Sequence, residues 1–368
     1  MKFKRISIRT TPSGQEIFLQ TYFFEGSDKE AKSAYLQASV HGAEIQGNAV
    51  IFYLIEYFKK NPPRGSVTLV PCANPVGMDR KTGEATSGRF DPTTGDNWNR
   101  AYFMPVIQKE EDREDPAQLC AETLPSGISR ADLKKRMTRA IREKKENSFR
   151  FSEMLALTLQ EMASHADLVL DLHTANSSQP YLYSSESTLN DALYFGLPTI
   201  ISIPSKFGGA MDEAIFAPWT LLHHKYEWPA HSIPQAYTLE LGNEEALSFF
   251  AGEKQAKGII EFLKHHGVVS GKARKPSSAV VGILKNYKTV YAKRGGLYEF
   301  IVPFGKPVQK GKVLAYCLHF NATGGVREPV ISESKFYPLL HHTSGAVNEG
   351  DELTKGFVEW STLKPKHF

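Results

Sequence analysis

The run DLVLDLHTA, residues 167–175, constrains the fold of this chain more than any other stretch. It is almost continuously apolar, which is typical of a strand buried on both faces of a parallel sheet. Shorter strand-like runs occur at 33–40, 199–205 and 235–242. Residues 45–61 follow the first of these, and their apolar side chains recur at helical spacing. Strands alternating with helices predict an α/β domain with a mostly parallel or mixed sheet.

The length of the chain, 368 residues, exceeds what one hydrophobic core usually holds, so two domains are expected. A linker rich in Gly, Ser, Pro and Lys lies at 270–279. Beyond it, PVQKGKVL (307–314) and AVNEGDEL (346–353) share the pattern Val-x-x-Gly-x-x-Leu. A duplicated strand–turn–strand unit predicts a small all-β domain with internal symmetry. We therefore predict an α/β domain over 1–272 and a C-terminal β domain over 273–368.

The charge balance does not require a nucleic-acid partner, since 44 basic residues face 40 acidic ones. The basic stretch LKKRMTRAIREKK, residues 133–145, has no aromatic residues between its charges and is expected to be a solvated helix face. No apolar run approaches the ~20 residues of a membrane span, so no membrane partner is expected.

The compartment predicted from the sequence is the cytoplasm. The N-terminal residues lack the apolar core of a secretory signal. Cys72, Cys120 and Cys317 are odd in number and widely spaced, which suits a reducing environment better than a disulfide framework.

Candidate metal ligands lie where strands are predicted to end. His41 follows the first strand, and Gly42 allows a tight turn into a helix expected to carry Glu44. His173 ends the apolar part of another strand. Open α/β sheets bind ligands at the carboxyl ends of their strands. Two imidazoles and one carboxylate leave a coordination position free, which is the pattern of a catalytic zinc site.

Two further acidic residues belong to the same predicted sheet edge. Glu240 ends the strand at 235–242 and could act as the base on a water molecule. Asp171 precedes His173 by two residues and therefore points the same way along the strand. It is expected either to orient the imidazole of His173 or to be a buried structural aspartate.

The sequence around the other histidines gives less support for a metal site. His224 and Glu227 repeat the His-x-x-Glu spacing, but no strand pattern precedes them, so we interpret this pair as a chance match. His165, His265 and His266 lie in helical or turn contexts and are expected at the surface.

Five motifs in order then indicate a family. They are HGAEIQG at 41–47, NP at 74–75, RFDPTTGDNWNR at 89–100, DLHT at 171–174 and TLELG at 238–242. Together they resemble the succinylglutamate desuccinylase/aspartoacylase family of the zinc carboxypeptidase superfamily, and the resemblance covers nearly the whole chain. It implies a mixed sheet flanked by helices, with a smaller, barrel-sandwich-like C-terminal β domain.

The resemblance also implies roles for single residues. It implies one Zn²⁺ per chain held by His41, Glu44 and His173, with Glu240 as the general base. The chemistry read from the residues alone agrees with these four assignments.

The same resemblance implies how a substrate is held. Asn99 and Arg100 match the pair that grips the substrate's carboxylate, and we expect the guanidinium of Arg100 to be buried. Arg89 resembles the arginine that polarises the scissile carbonyl, and Arg80 is its rival because the spacing to Asn-Arg is longer here than in aspartoacylases. The tetrad that ends at Arg100 reads Asn-Trp-Asn-Arg rather than Asp-Leu-Asn-Arg.

A substrate-side tyrosine of the superfamily has no matching motif in this chain. Tyr226 and Tyr237 are the candidates.

Three functions are compatible with these residues. The leading hypothesis is a zinc hydrolase that cleaves the amide of an N-acyl amino acid or a similar small carboxylate. The alternatives are a metallocarboxypeptidase acting on peptides or cell-wall fragments and an inactive metal- or ligand-binding protein. Intact Glu240 and Arg100 argue against the inactive protein.

The C-terminal repeat resembles the domains of biotinyl and lipoyl carriers. Those carriers present a lysine, usually in Met-Lys-Met, and this chain has no such tripeptide. We therefore expect a lid, a partner surface or an oligomerisation element, which allows a homo-oligomer.

Overall fold

The structure is a computed structural model that describes residues 1–204, 206–229 and 232–365, without the side chain of His224. Its strands are β1 Lys2–Thr10, β2 Glu16–Phe24, β3 Ala34–Ala38, β4 Val67–Val70, β5 Lys81–Thr82, β6 Ala85–Thr86, β7 Val106–Ile107, β8 Leu119–Cys120, β9 Leu168–Ala175, β10 Ser177–Ser178, β11 Tyr181–Ser185, β12 Thr199–Ile203, β13 Gln235–Asn243, β14 Ala279–Ile283, β15 Tyr287–Tyr291, β16 Gly296–Phe300, β17 Val313–Asn321, β18 Gly324–Ile331, β19 Tyr337–His341, β20 Ala346–Val347, β21 Glu352–Phe357 and β22 Ser361–Leu363.

The α-helices are α1 Gln46–Lys60, α2 Pro75–Met78, α3 Arg130–Glu146, α4 Phe151–Ala163, α5 Leu189–Ala192, α6 Met211–Tyr226 and α7 Phe249–His265. Across the described ranges, none of these helices is long and apolar enough to cross a membrane.

The centre of the molecule is a ten-stranded mixed sheet in the order β1-β2-β4-β3-β9-β13-β11-β12-β14-β22. Strands β4, β3, β9 and β13 run parallel, and β11 is antiparallel to β13. Strand β9 lies between β3 and β13, and its first seven residues are all buried. The predicted α/β class and the buried central strand are confirmed.

Helices cover both faces of this sheet. Helices α1 and α7 pack on one face, where Leu170 and Leu172 of β9 join their core. Helices α4 and α6 pack on the other face, together with Val169 of β9. Because strand residues alternate between faces, Asp171 and His173 point toward the side that carries Val169.

The segment beyond the linker forms the four-stranded sheet β18-β17-β16-β20 and supplies three strands of a second one, β10-β19-β21-β15. Strand β10 of that second sheet comes from residues 177–178, before the linker. The two Val-x-x-Gly-x-x-Leu copies have equivalent turns, because Gly311 and Gly350 both have a positive φ, +83° and +87°. The amide of Gly311 donates to Ser332 O at 2.8 Å, and that of Gly350 donates to Ala292 O at 2.9 Å. The smaller β unit expected from the sequence is therefore present.

Two strands of that same segment belong to the large sheet. Strand β14 pairs with β12, and β22 pairs with β14. The domain boundary between residues 272 and 273 stays a prediction.

Candidate active site

The first site loop leaves β3 at Ala38 and reaches α1 at Gln46. A Cβ added to Gly42 would lie 2.1 Å from Gly77 O, so only glycine fits there. The amide of Gly42 also donates to Gly88 O at 3.0 Å. These contacts hold residues 41–44 as a turn. The expectation that the helix carries Glu44 is wrong, since Glu44 precedes α1.

Ser39, near the start of the same loop, has an uncommon backbone conformation. Ser39 has φ +59°, which is costly for a residue with a side chain. Its hydroxyl lies 2.7 Å from Asn48 Oδ1 and donates to Glu44 O at 3.2 Å. These contacts tie the loop to α1 and position the carboxylate of Glu44.

The three predicted metal ligands converge. His41 Nδ1 lies 2.7 Å from Glu44 Oε1, and His173 Nδ1 lies 2.6 Å from Glu44 Oε2. One ligand atom from each residue lies within 4.8 Å of the others. All three residues are buried, with exposed fractions of 4%, 1% and 2% for His41, Glu44 and His173.

The other nitrogen of each imidazole also has a neighbour. His41 Nε2 lies 2.9 Å from Asn97 Oδ1, and His173 Nε2 lies 2.9 Å from Asp171 Oδ2. Asp171 is itself fixed by Gln37, whose Nε2 donates to Asp171 Oδ1 at 3.0 Å. Partners on the outer nitrogens orient both rings and keep Nδ1 directed inward. The sequence indicated this role as one of two for Asp171, and it did not indicate Asn97.

The charges at this centre favour an ionised Glu44. Burial opposes ionisation, but the imidazoles of His41 and His173 hold the pKa of Glu44 well below its usual range. An ionised carboxylate and two imidazoles form a donor set suited to Zn²⁺. The residues present therefore fit the metal that the resemblance implies.

Glu240 lies beside this centre. It is the register partner of His173 in the neighbouring strand, and Tyr181 faces it from β11. Its Oε2 is buried and has no hydrogen-bond partner among the described residues. Burial, and next the negative charge of Glu44, raise the pKa of Glu240 to about 8. A carboxyl group poised near neutrality is suited to proton transfer.

The two rival arginines lie in different places. Arg89 lines a cavity of about 510 Å³ that also contains the ligand trio and Glu240. Its Nη1 lies 3.3 Å from Glu44 Oε1 and 3.5 Å from Glu244 Oε1. Arg80 is exposed and does not line this cavity.

The Asn-Arg pair also lines the cavity. Asn99 is buried, and its Nδ2 lies 3.3 Å from His173 Nε2. Arg100 donates from Nη1 to Asn99 O at 2.6 Å. The expected burial of Arg100 is wrong, because the residue is exposed at the cavity rim. The 3₁₀ turn Trp98–Arg100 places its side chain toward solvent rather than beneath the sheet edge.

The tyrosines of the cavity are not the ones expected. Tyr237 is fully buried in the core between the sheet and α7, and Tyr226 stacks on Trp228 with ring centroids 4.7 Å apart. Neither lines the cavity, which instead contains Tyr181, Tyr183 and Tyr287.

A signal for two of the missed tyrosines was present in the sequence. YLYSS, residues 181–185, alternates as a strand does, so Tyr181 and Tyr183 share one face. Tyr287 could not be found this way, because it belongs to the segment beyond the linker.

Residues beyond the linker complete the cavity wall. Leu284, Tyr287, Leu340, Glu352 and Lys355 all line it. The ligand trio and the C-terminal segment therefore share one cavity.

Comparison with known proteins agrees with the motifs. The sequence model described as "Succinylglutamate desuccinylase/Aspartoacylase catalytic domain" matches residues 30–266. A search of curated protein sequences found no match.

Solved structures with the same fold extend over the whole chain. A protein of Shewanella frigidimarina NCIMB 400 assigned to this family is 34% identical, with a TM-score of 0.88, and the match covers 99% of this chain and 98% of that one. One of Shewanella amazonensis SB2B is 33% identical, with a TM-score of 0.87 and coverage of 99% and 100%.

A more distant structure shares the fold alone. The product-bound ectoine utilization protein EutE (DoeB) of Ruegeria pomeroyi is 18% identical, with a TM-score of 0.68 and coverage of 97% and 94%. The family match and the two Shewanella structures lead to one conclusion: the chain belongs to the succinylglutamate desuccinylase/aspartoacylase family.

Proposed function

We propose that the protein is a zinc-dependent hydrolase that cleaves the amide bond of an N-acyl amino acid or a similar small carboxylate. One observation carries the proposal. Glu240, whose Oε2 has no hydrogen-bond partner in the described part of the chain, shares a cavity with the convergent trio of His41, Glu44 and His173. Family membership supports deacylase chemistry of this general kind.

The metal would be held by His41, Glu44 and His173, one ion per chain. When bound, Zn²⁺ supplies a Lewis acid that polarises a carbonyl and lowers the pKa of water. The inward Nδ1 atoms and the ionised Glu44 support this assignment.

The proton transfers would be made by Glu240. Its carboxylate accepts a proton from the attacking water and delivers it to the nitrogen of the leaving amine. The buried carboxyl oxygen of Glu240 supports this role, because a raised pKa makes both transfers favourable near neutral pH.

Arg89 would stabilise the charge that develops on the carbonyl oxygen. Its guanidinium already lies at the ligand trio, 3.3 Å from Glu44 Oε1. Losing one such donor typically costs about 3 kcal/mol of transition-state stabilisation.

Asn99 and Arg100 would bind the free carboxylate of the substrate. Asn99 is buried at the floor of the cavity and Arg100 lies at its rim. Arg100 offers a planar pair of donors that matches a carboxylate.

A metallocarboxypeptidase remains the alternative. The size of the cavity favours the small substrate, because about 510 Å³ lies within the range of small-molecule sites. Tyr287 and Lys355 of the C-terminal segment form part of its wall, which narrows the room available to a long peptide.

The three cysteines support the proposal of a reducing, cytoplasmic compartment. Cys72, Cys120 and Cys317 are all free thiols.

Hydrolysis of a substrate panel tests the proposed function. The zinc-loaded chain should cleave N-acetyl or N-succinyl amino acids faster than dipeptides or longer peptides. The Glu240→Gln variant should not cleave these N-acyl amino acids at a comparable rate. Preferred cleavage of peptides would support the carboxypeptidase. No cleavage of any panel member by metal-loaded protein would contradict the hydrolase.

A further inference from the structure

We propose a second transition-metal site, formed by Asp191, His265 and His266 and best suited to Zn²⁺. The three residues lie where α5 approaches the C-terminal end of α7. One ligand atom from each lies within 4.8 Å of the others. The proposal does not depend on the proposed hydrolase activity.

One contact in this cluster is a hydrogen bond, and the other is a separation that fits metal coordination better than hydrogen bonding. His265 Nε2 lies 3.1 Å from Asp191 Oδ1, and His266 Nε2 lies 3.7 Å from Asp191 Oδ2. The second distance is too long for a hydrogen bond. Two ligands of one tetrahedral Zn²⁺, each ~2.0–2.1 Å from the ion, stand about 3.4 Å apart. Small movements of three side chains would therefore complete the site.

An unpartnered nitrogen points independently to a ligand. The side chain of His266 is 6% exposed, and its Nε2 has no hydrogen-bond partner among the described residues. Leaving a buried polar atom unpaired costs free energy, and a metal ion would satisfy it. The expectation that His266 lies at the surface is wrong, because His266 caps α7 and packs on Phe262, with ring centroids 4.5 Å apart. The side chain of His265 is partly exposed.

Neighbouring side chains hold the other two ligands in place. Gln235 Nε2 donates to Asp191 Oδ2 at 2.9 Å, and Tyr237 donates to Gln235 Oε1 at 2.9 Å. The ring of Tyr194 stacks on His265, with centroids 3.9 Å apart. Such outer contacts orient metal ligands and limit their movement.

The protonation states also suit a metal. Burial lowers the pKa of His266, which keeps the imidazole neutral at neutral pH. Burial opposes ionisation of Asp191, but the contacts with His265 and Gln235 lower its pKa overall. Metals bind neutral imidazole and ionised carboxylate.

One nearby charge opposes binding. The ammonium of Lys32 lies close enough to interact electrostatically with both Asp191 and His266. Removing this charge should therefore increase the affinity for the ion.

The cluster is separate from the candidate active site. Gln235, which contacts Asp191, begins β13, and Glu240 lies five residues further along the same strand. Five strand residues span about 17 Å. The second ion would join α5 to α7 at the opposite edge of the sheet, away from Glu240.

Metal counting in a background without the first site is the main test. The His41→Ala/His173→Ala variant, stripped with chelator and dialysed against Zn²⁺, should retain one ion per chain. Adding Asp191→Asn or His265→Gln should abolish this binding, whereas His165→Gln, at an exposed histidine, should not. The proposal would be overturned if the His41→Ala/His173→Ala variant bound no Zn²⁺. It would also be overturned if adding Asp191→Asn to that variant left the amount of bound Zn²⁺ unchanged.

Chemical labelling tests the site in the unaltered chain, where folding of variants is not a concern. Diethyl pyrocarbonate should modify His265, whose side chain is 28% exposed, in the chelator-treated protein. Zn²⁺ should protect His265 and leave His165 unprotected, as read by peptide mass spectrometry. Equal labelling of His265 with and without Zn²⁺ would contradict the site.

The Lys32→Met substitution should change the affinity for Zn²⁺ in the direction opposite to Asp191→Asn. It should tighten Zn²⁺ binding to the His41→Ala/His173→Ala variant several-fold, because one repelling charge is lost. An unchanged or weaker affinity would contradict an ion beside Asp191.

Discussion

Glu240 and His173 are register partners in the neighbouring parallel strands β13 and β9. The distance between the proposed base and a proposed metal ligand is therefore set by the hydrogen bonds of the sheet. Sites built on strands hold their geometry better than sites built on loops. Substitutions that keep the shape of Glu240 should consequently change its chemistry without moving His173.

Replacing Glu240 with glutamine should leave zinc binding intact and lower kcat by ~10²–10⁴-fold, because an amide cannot accept the proton of water. Zinc content and turnover of the preferred substrate are the measurements. Activity within a few-fold of wild type would assign the base to another residue. Glu244, 3.5 Å from Arg89, would then be the first to test.

The pH profile of kcat/KM should rise on its acidic side as Glu240 loses its proton. Burial, with the charge of Glu44, raises the pKa of Glu240 to about 8, and a bound cation would lower it. The acidic limb should therefore have its midpoint below pH 8. A limb that persists unchanged in Glu240→Gln would show that it reports another group.

The stability of the metal-free chain should respond to the same group with a defined sign. Burial, and next the charge of Glu44, raise the pKa of Glu240 in the folded chain above 4.5, the ordinary value for a glutamate. The wild type therefore loses stability as pH rises from that value toward about 8, and Glu240→Gln does not. In the presence of chelator, the Glu240→Gln variant should have a higher Tm than wild type. The difference in Tm should be larger at high pH than at low pH. Glu84→Gln, at an exposed site, should show no such trend.

The two rival arginines can be distinguished by matched substitutions. Arg89→Ala should lower kcat by about 3 kcal/mol equivalent, because the guanidinium lies at the ligand trio. Arg80→Ala should be nearly neutral, since Arg80 is exposed and outside the cavity. A larger loss at Arg80 than at Arg89 would reverse the assignment.

Arg100→Ala should lower kcat/KM for substrates that carry a free carboxylate. The exposed position of Arg100 limits the effect to about 1.5 kcal/mol, roughly tenfold in kcat/KM. Arg100→Lys should recover little, because it loses the paired donors. The corresponding substrate amides should be insensitive to both changes. Equal losses for carboxylate and amide would place the carboxylate elsewhere.

Sequence patterns predicted those parts of the fold and site that depend on single strands. The apolar run of β9 indicated a buried strand, and His173 follows from its end. The turn at Gly42 was also expected, but its contact with Gly77 was not. That contact is long-range, and no periodicity within a single element indicates it.

The remaining site residues were missed because their environment depends on packing between distant segments. Tyr287 reaches the cavity only because the C-terminal segment folds against it. The side chain of His266 is buried where the end of α7 meets Asp191 of α5. Periodicity within one element carries no information on such contacts.

The chain leaves the large sheet after β14 and returns to it at β22, the direct neighbour of β14. The small β unit between them is thus a loop-like excursion with two adjacent anchors, which restrains hinge motion of the wall that carries Tyr287 and Lys355. A truncation at residue 272 would remove β14 and β22 together. It would leave the fully buried strand β12 as a bare apolar edge, a template for aggregation.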